Sequence, residues 1–156
     1  MKIVDFISPD RIVPQLTAVH KIGVLKELAA HLVRVDPHLG EADLGRVVDV
    51  LEERERLSST GISDGVAIPH GKLAGLIGIT AVLGLKREGL DFGALDNQPS
   101  SIFVVLLAPE NSAGMHLKAL ARISQLFKDP ALRRRVLEAT TAADIYGIIA
   151  DEDARF

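Results

Sequence analysis

The chain has 156 residues, 47% hydrophobic and 25% charged, with 18 Lys+Arg against 21 Asp+Glu and no cysteine. That length and balance fit one globular domain with a real core and exclude a disordered polymer. A formal net charge of −3 excludes a broadly basic nucleic-acid binder. The absence of cysteine excludes disulfide frameworks, zinc ribbons, thiolate catalysis and iron–sulfur ligation.

Residues 1–20 mix Ile3, Val4, Phe6, Ile7, Ile12 and Val13 with Pro9 and Pro14, and read as an irregular lead-in with one short extended piece. From Lys21 the period changes. Ile22, Leu25, Leu28, Ala29, Leu32 and Val33 recur at three- and four-residue steps, the stripe of an amphipathic helix. Asp36-Pro37 ends it, because a residue before proline avoids the helical region. A second helix is predicted over 41–56, with Leu44, Val47, Val48 and Leu51 as its stripe and Glu41 and Asp43 at its positive end.

Ser58–Gly65 is a polar, turn-rich stretch, followed by the short apolar piece Val66-Ala67-Ile68, which Pro69 stops. Two strands are predicted, Ile77–Leu85 and Ser101–Ala108. The second is almost wholly apolar, which suits a sheet covered on both faces. EGLDFGALDNQP between them reads as loop or hairpin, with Asp91, Asp96 and Asn97 in turn chemistry. A third helix is predicted over 112–128, capped by Ser112, with Met115, Ala119, Leu120, Ile123, Leu126 and Phe127 facing inward. Pro130 opens a short helix over 130–139, and Thr140 or Thr141 caps a last one carrying Ile145, Ile148 and Ile149. Strands interleaved with helices give an α/β or α+β fold, one domain with helices flanking a central sheet. The apolar runs Leu76–Leu85 and Ile102–Ala108 are too short to span a bilayer, and the N-terminus has no long apolar core of a signal peptide. The expectation is a cytoplasmic protein without membrane insertion.

The chemically informative stretch is RERLSSTGISDGVAIPHGKL, Arg54 to Leu73. A helix ends in basic residues. A loop rich in hydroxyls and backbone N–H groups follows, suited to an anion. A short apolar segment then delivers Pro69-His70-Gly71. Proline fixes the backbone before the histidine, and glycine after it leaves space beside the ring. A neutral imidazole is a competent nucleophile near neutral pH. Arg54, or Arg56 in its place, supplies a planar fork for phosphate oxygens. Ser59 and Thr60 supply hydroxyl donors or simply cap a turn. His116 falls in the first turn of the third helix, where its N–H can assist a phosphoryl group. By itself, though, such a histidine can equally be an inert turn residue.

STGISDGVAIPHGKL resembles the active-site signature of the fructose/mannitol family of phosphotransferase-system IIA proteins, and MHLKALARIS resembles that family's second histidine segment. The resemblance spans about residues 3–150. FGALDNQPSSIFVVLLAP and IPHGKL look most like the nitrogen-regulatory branch. It implies a single IIA domain of type 2 over 1–156, with a mixed sheet flanked by helices. His70 is then the phosphoryl acceptor on its Nε2, assisted by His116 and Arg54, with Ser59, Thr60 and Gly71 around the phosphate. No cofactor is implied. The upstream donor is an HPr-like carrier charged by enzyme I, or its nitrogen-branch counterpart. The downstream partners are regulatory, potassium-transport systems and sensor kinases among them. Two further readings stay open: a fructose- or mannitol-specific IIA component that passes the phosphoryl group to a IIB domain, and a binding module that acts without phosphorylation. Ser58 and Ser63 depart from the family's glycines at those positions.

No metal site is expected. His20, His31 and His38 lack a partner at ligand spacing and read as surface residues, and His70 with His116 is too small a set for structural zinc. Arg133-Arg134-Arg135 reads as a solvated helix face, with docking of an acidic partner as the lesser reading.

Overall fold

The computed structural model describes residues 1–155. The lead-in forms two 3-10 turns, Ile3–Asp5 and Pro9–Arg11, and then the short extended piece expected there, β1 (Ile12–Val13). Helix α1 spans Lys21–Val35, and Asp36 leaves the helix in an extended conformation ahead of Pro37. His20 is exposed, as expected, and caps α1 by accepting the Gly23 N–H on Nδ1. The second helix opens as a 3-10 turn at Glu41–Asp43 and becomes regular as α2 over Leu44–Leu57. Strands β2 (Val66–Ala67), β3 (His70–Lys72), β4 (Thr80–Leu90) and β5 (Ser100–Ala108) follow, then α3 (Ala113–Leu126), α4 (Pro130–Glu138) and α5 (Ala142–Asp153). Pro130 occupies the first turn of α4, and the Thr141 hydroxyl caps α5 on the Asp144 N–H.

The sheet is mixed. β1 runs parallel to β4, β4 antiparallel to β5, and both β2 and β3 parallel to β5. β2 pairs with β5 at Ile102 and Phe103, and β3 at Leu106 to Ala108, so the two lie end to end along one edge. The apolar β5 is explained by its two covered faces. Ile102, Val104 and Leu106 pack with the lead-in, α3, α4 and α5, whereas Phe103, Val105 and Leu107 pack with α1 and α2.

Three expectations are corrected. The strand expected to begin at Ile77 begins at Thr80 and runs on to Leu90. Ile77 is 76% exposed, so its apolar character reflects no burial. Ser112 makes no capping bond, because its hydroxyl donates back to the Pro109 carbonyl at 2.5 Å. On α3, Met115 faces outward and His116 joins Ala119, Ile123, Leu126 and Phe127 in the inward stripe, with Leu120 half-buried against the same core.

Candidate active site

His70 opens β3, opposite Leu106 of β5, whose N–H donates to the Pro69 carbonyl at 2.9 Å. The sheet therefore fixes the histidine's backbone. Its ring is fixed separately: Nδ1 lies 2.6 Å from the carbonyl oxygen of Ile68. A carbonyl oxygen only accepts, so Nδ1 carries the proton and Nε2 keeps its lone pair.

His116 presents itself to this ring edge-on, with centroids 5.5 Å apart and planes at 70°. It is 8% exposed, and its Nε2 is buried with no hydrogen-bond partner among the described residues. An unpaired polar atom in that position is costly unless something arrives to satisfy it. Burial lowers the pKa of both rings, and Arg54 lowers that of His70 further. The Ile68 carbonyl and Glu55 act in the opposite sense on His70. For His116, His70 and Lys72 add to the lowering. Both rings are therefore held neutral at neutral pH. Arg54 stands at the end of α2 and donates to the Ser58 carbonyl at 2.9 Å. Arg56 points elsewhere, to Glu52 at 3.5 Å. Of the two candidate arginines, Arg54 is the one whose charge reaches His70.

The sequence matches the family model described as phosphoenolpyruvate-dependent sugar phosphotransferase system, EIIA 2, over residues 5–152. The chain belongs to this family. It is 37% identical to a nitrogen regulatory protein of Bradyrhizobium diazoefficiens, over 96% of this chain and 95% of that one. It is also 32% identical to the fructose-specific EIIABC component of Bacillus subtilis, over 98% of this chain but 24% of that longer protein. The crystal structure of nitrogen regulatory protein IIA-Ntr from Neisseria meningitidis superposes with a TM-score of 0.84 at 31% identity, covering 93% of this chain and 97% of that one.

In this EIIA domain the hydroxyls of Ser59 and Thr60 and the Cβ side of Gly71 have neighbours within the protein. The Ser59 hydroxyl donates to the Phe92 carbonyl at 3.2 Å and accepts the Gly61 N–H at 3.0 Å. The Thr60 hydroxyl is buried and donates to Glu55, so its single proton is committed. The space beside Gly71 is filled by Val50 of α2: a Cβ at Gly71 would overlap Val50 Cγ1. These residues shape the site from behind.

The two departures from the family's glycines cost no backbone strain. Ser58 is extended, with φ −170°, and the left-handed residues of the loop are Asp64 (φ 59°) and Gly65 (φ 80°). Asp96 steadies that turn by accepting the Asp64 N–H at 3.1 Å. Sequence reasoning missed Glu55, which is buried with Lys21 2.8 Å from its Oε2. Its signal was an acidic residue on the apolar side of α2, one turn after Leu51.

Elsewhere the EIIA domain also refines the first reading. His31 is half-buried, with Nε2–H donating to the Asp10 carbonyl at 2.7 Å. Arg133 is folded back onto the Phe127 and Lys128 carbonyls, so only Arg134 and Arg135 of the triplet are solvated. No group of three His, Asp or Glu among the described residues is arranged to hold a metal ion. No helix among the described residues is long and apolar enough to cross a membrane.

Proposed function

We propose that the protein accepts a phosphoryl group on Nε2 of His70 from an HPr-like phosphocarrier, or its nitrogen-branch counterpart, and signals through phosphorylation-dependent binding of regulatory proteins. One observation carries this reading. The His70 ring has its Nδ1 proton tied to Ile68 and its Nε2 lone pair free, beside a buried histidine nitrogen that lacks a partner.

In the transfer, the Nε2 lone pair attacks phosphorus on the carrier's phosphohistidine. The new N–P bond forms as the carrier's N–P bond breaks, and that electron pair returns to the carrier's ring. His70 keeps its Nδ1 proton, so the phosphorylated ring is cationic, with the Ile68 carbonyl dipole facing that proton. His116 and Arg54 act on the phosphoryl oxygens, where charge must be matched as the group passes. The phosphoryl oxygens bring up to two negative charges to the surface, one of them offset by the cationic ring. A partner interface without matching groups cannot cover them at small cost, so one transfer can switch binding.

A second reading has one observation in its favour, the 32% identity to a fructose-specific relative. In it the phosphoryl group moves on to a IIB domain and then to sugar. Intact mass after incubation with phosphoenolpyruvate, enzyme I and the carrier tests the first step. A gain of one phosphoryl group in wild type and none in His70→Ala is expected, and uptake by His70→Ala would overturn the site. Discharge of the phosphorylated protein by a IIB domain plus sugar would establish the second reading.

A further inference from the structure

We propose that Glu55 is a positioning residue for phosphoryl transfer, holding His70 in its reactive tautomer and orientation through a hydrogen-bonded relay of Thr60 and Ile68. This inference rests on the reading of His70 as acceptor. Each link is geometric. Glu55 lies in the last turn of α2 with 8% exposure, and its Oε1 accepts both the N–H of Thr60, at 2.9 Å, and the Thr60 hydroxyl. The Thr60 carbonyl in turn accepts the Ile68 N–H at 3.0 Å. The Ile68 carbonyl then accepts Nδ1–H of His70 at 2.6 Å.

The relay matters because of Pro69. Proline has no N–H, so the peptide group that carries the Ile68 carbonyl lacks the donor by which a strand normally anchors it. The Ile68 N–H to Thr60 anchors the residue instead, and Glu55 holds Thr60 itself while the Gly61–Ala67 bridge holds the chain next to it. The other face of the carboxylate is closed by Lys21, 2.8 Å from Oε2, which also lies 4.8 Å from the centroid of the Phe92 ring. Phe92 belongs to the same assembly, since its carbonyl accepts the Ser59 hydroxyl. A buried carboxylate is expensive unless its oxygens are satisfied; here Oε1 accepts from the loop behind His70, and Oε2, which accepts no hydrogen bond among the described residues, faces the paired charge of Lys21. The Glu55 charge also favours the cationic form of His70, which is the charge the ring bears once phosphorylated.

Imidazole 15N shifts read the tautomer without any phosphoryl donor, and transfer from the charged carrier reads the rate. Wild type is expected to show the Nδ1–H tautomer alone. Glu55→Ala is expected to populate both tautomers and to accept phosphoryl at least about tenfold more slowly. Glu55→Gln, whose amide oxygen accepts the same two donors, is expected to restore both. A folded Glu55→Ala protein with an unchanged tautomer or an unchanged rate would overturn the proposal, as would a Glu55→Gln protein as impaired as Glu55→Ala. If Glu55→Ala does not fold, Glu55→Asp carries the same expectation, because it keeps the charge and shortens the reach by one methylene. Failure of wild type to take up phosphoryl would instead strike the reading of His70 as acceptor, whatever the tautomers show.

Discussion

His116 sits in the inward stripe of α3, three residues before Ala119 and seven before Ile123, and turns the edge of its ring toward His70. A histidine has displaced Met115 from the position that hydrophobicity alone would give it. The arrangement predicts that His116→Ala keeps the fold and slows phosphoryl acceptance by about 100-fold, the usual cost of losing one donor aimed at developing charge. Stopped-flow or quenched transfer from the carrier checks this. A rate within twofold of wild type would remove His116 from the site.

Arg54 and Arg56 differ in where their charges fall. Arg54→Ala is expected to raise the pKa of His70 toward its ordinary value and to slow transfer by about tenfold or more. Arg56→Ala is expected to leave both near wild type. Titration of the His70 ring by NMR in the two variants separates them, and equal shifts would contradict the assignment.

Gly71 is required by packing. Gly71→Ala drives a methyl group into Val50 and is expected to destabilise the fold by about 1–3 kcal/mol. Val50→Ala in the same chain should recover much of that loss, since it removes the atom in conflict. A double-mutant cycle in urea measures the coupling, and purely additive costs would show that the clash is relieved in some other way.

Both site histidines have folded-state pKa values lowered from the usual 6.5, by burial above all. The unfolded chain therefore binds more protons than the folded one just below that pH. Their contribution to stability is complete above about 6.5 and is lost as pH falls from there through the folded values. Denaturation midpoints at pH 7.5 and 5.5 should fall in that order, with a smaller difference in His70→Gln. A midpoint that rises on acidification would contradict the sign.

Much of this was legible in the sequence. The stripe over 22–33, the apolar β5 and the Pro69-His70-Gly71 run carry their structure in local pattern. The rest depended on tertiary contacts that no window displays. Ile77 looks like strand and lies in solvent, because the sheet begins only where Thr80 pairs with Leu107. Ser59 and Thr60 look like phosphate donors, yet their protons go to Phe92 and Glu55. Glu55 looks like one more charge in EERER until α2 turns it inward beneath the loop.

His70 stands on the sheet edge, Arg54 belongs to the helical layer on one face, and His116 to the layer on the other. On the proposed reading, a phosphoryl group held by all three would fasten the two layers across the strand between them. By linkage, contacts made only in the assembled state raise its stability, so on that reading α2 and α3 are expected to be harder to open once His70 is phosphorylated. A signal leaving such a site would be mechanical as well as electrostatic: a partner that needs either helix to yield would sense the phosphoryl group as stiffness, even where it never meets the charge.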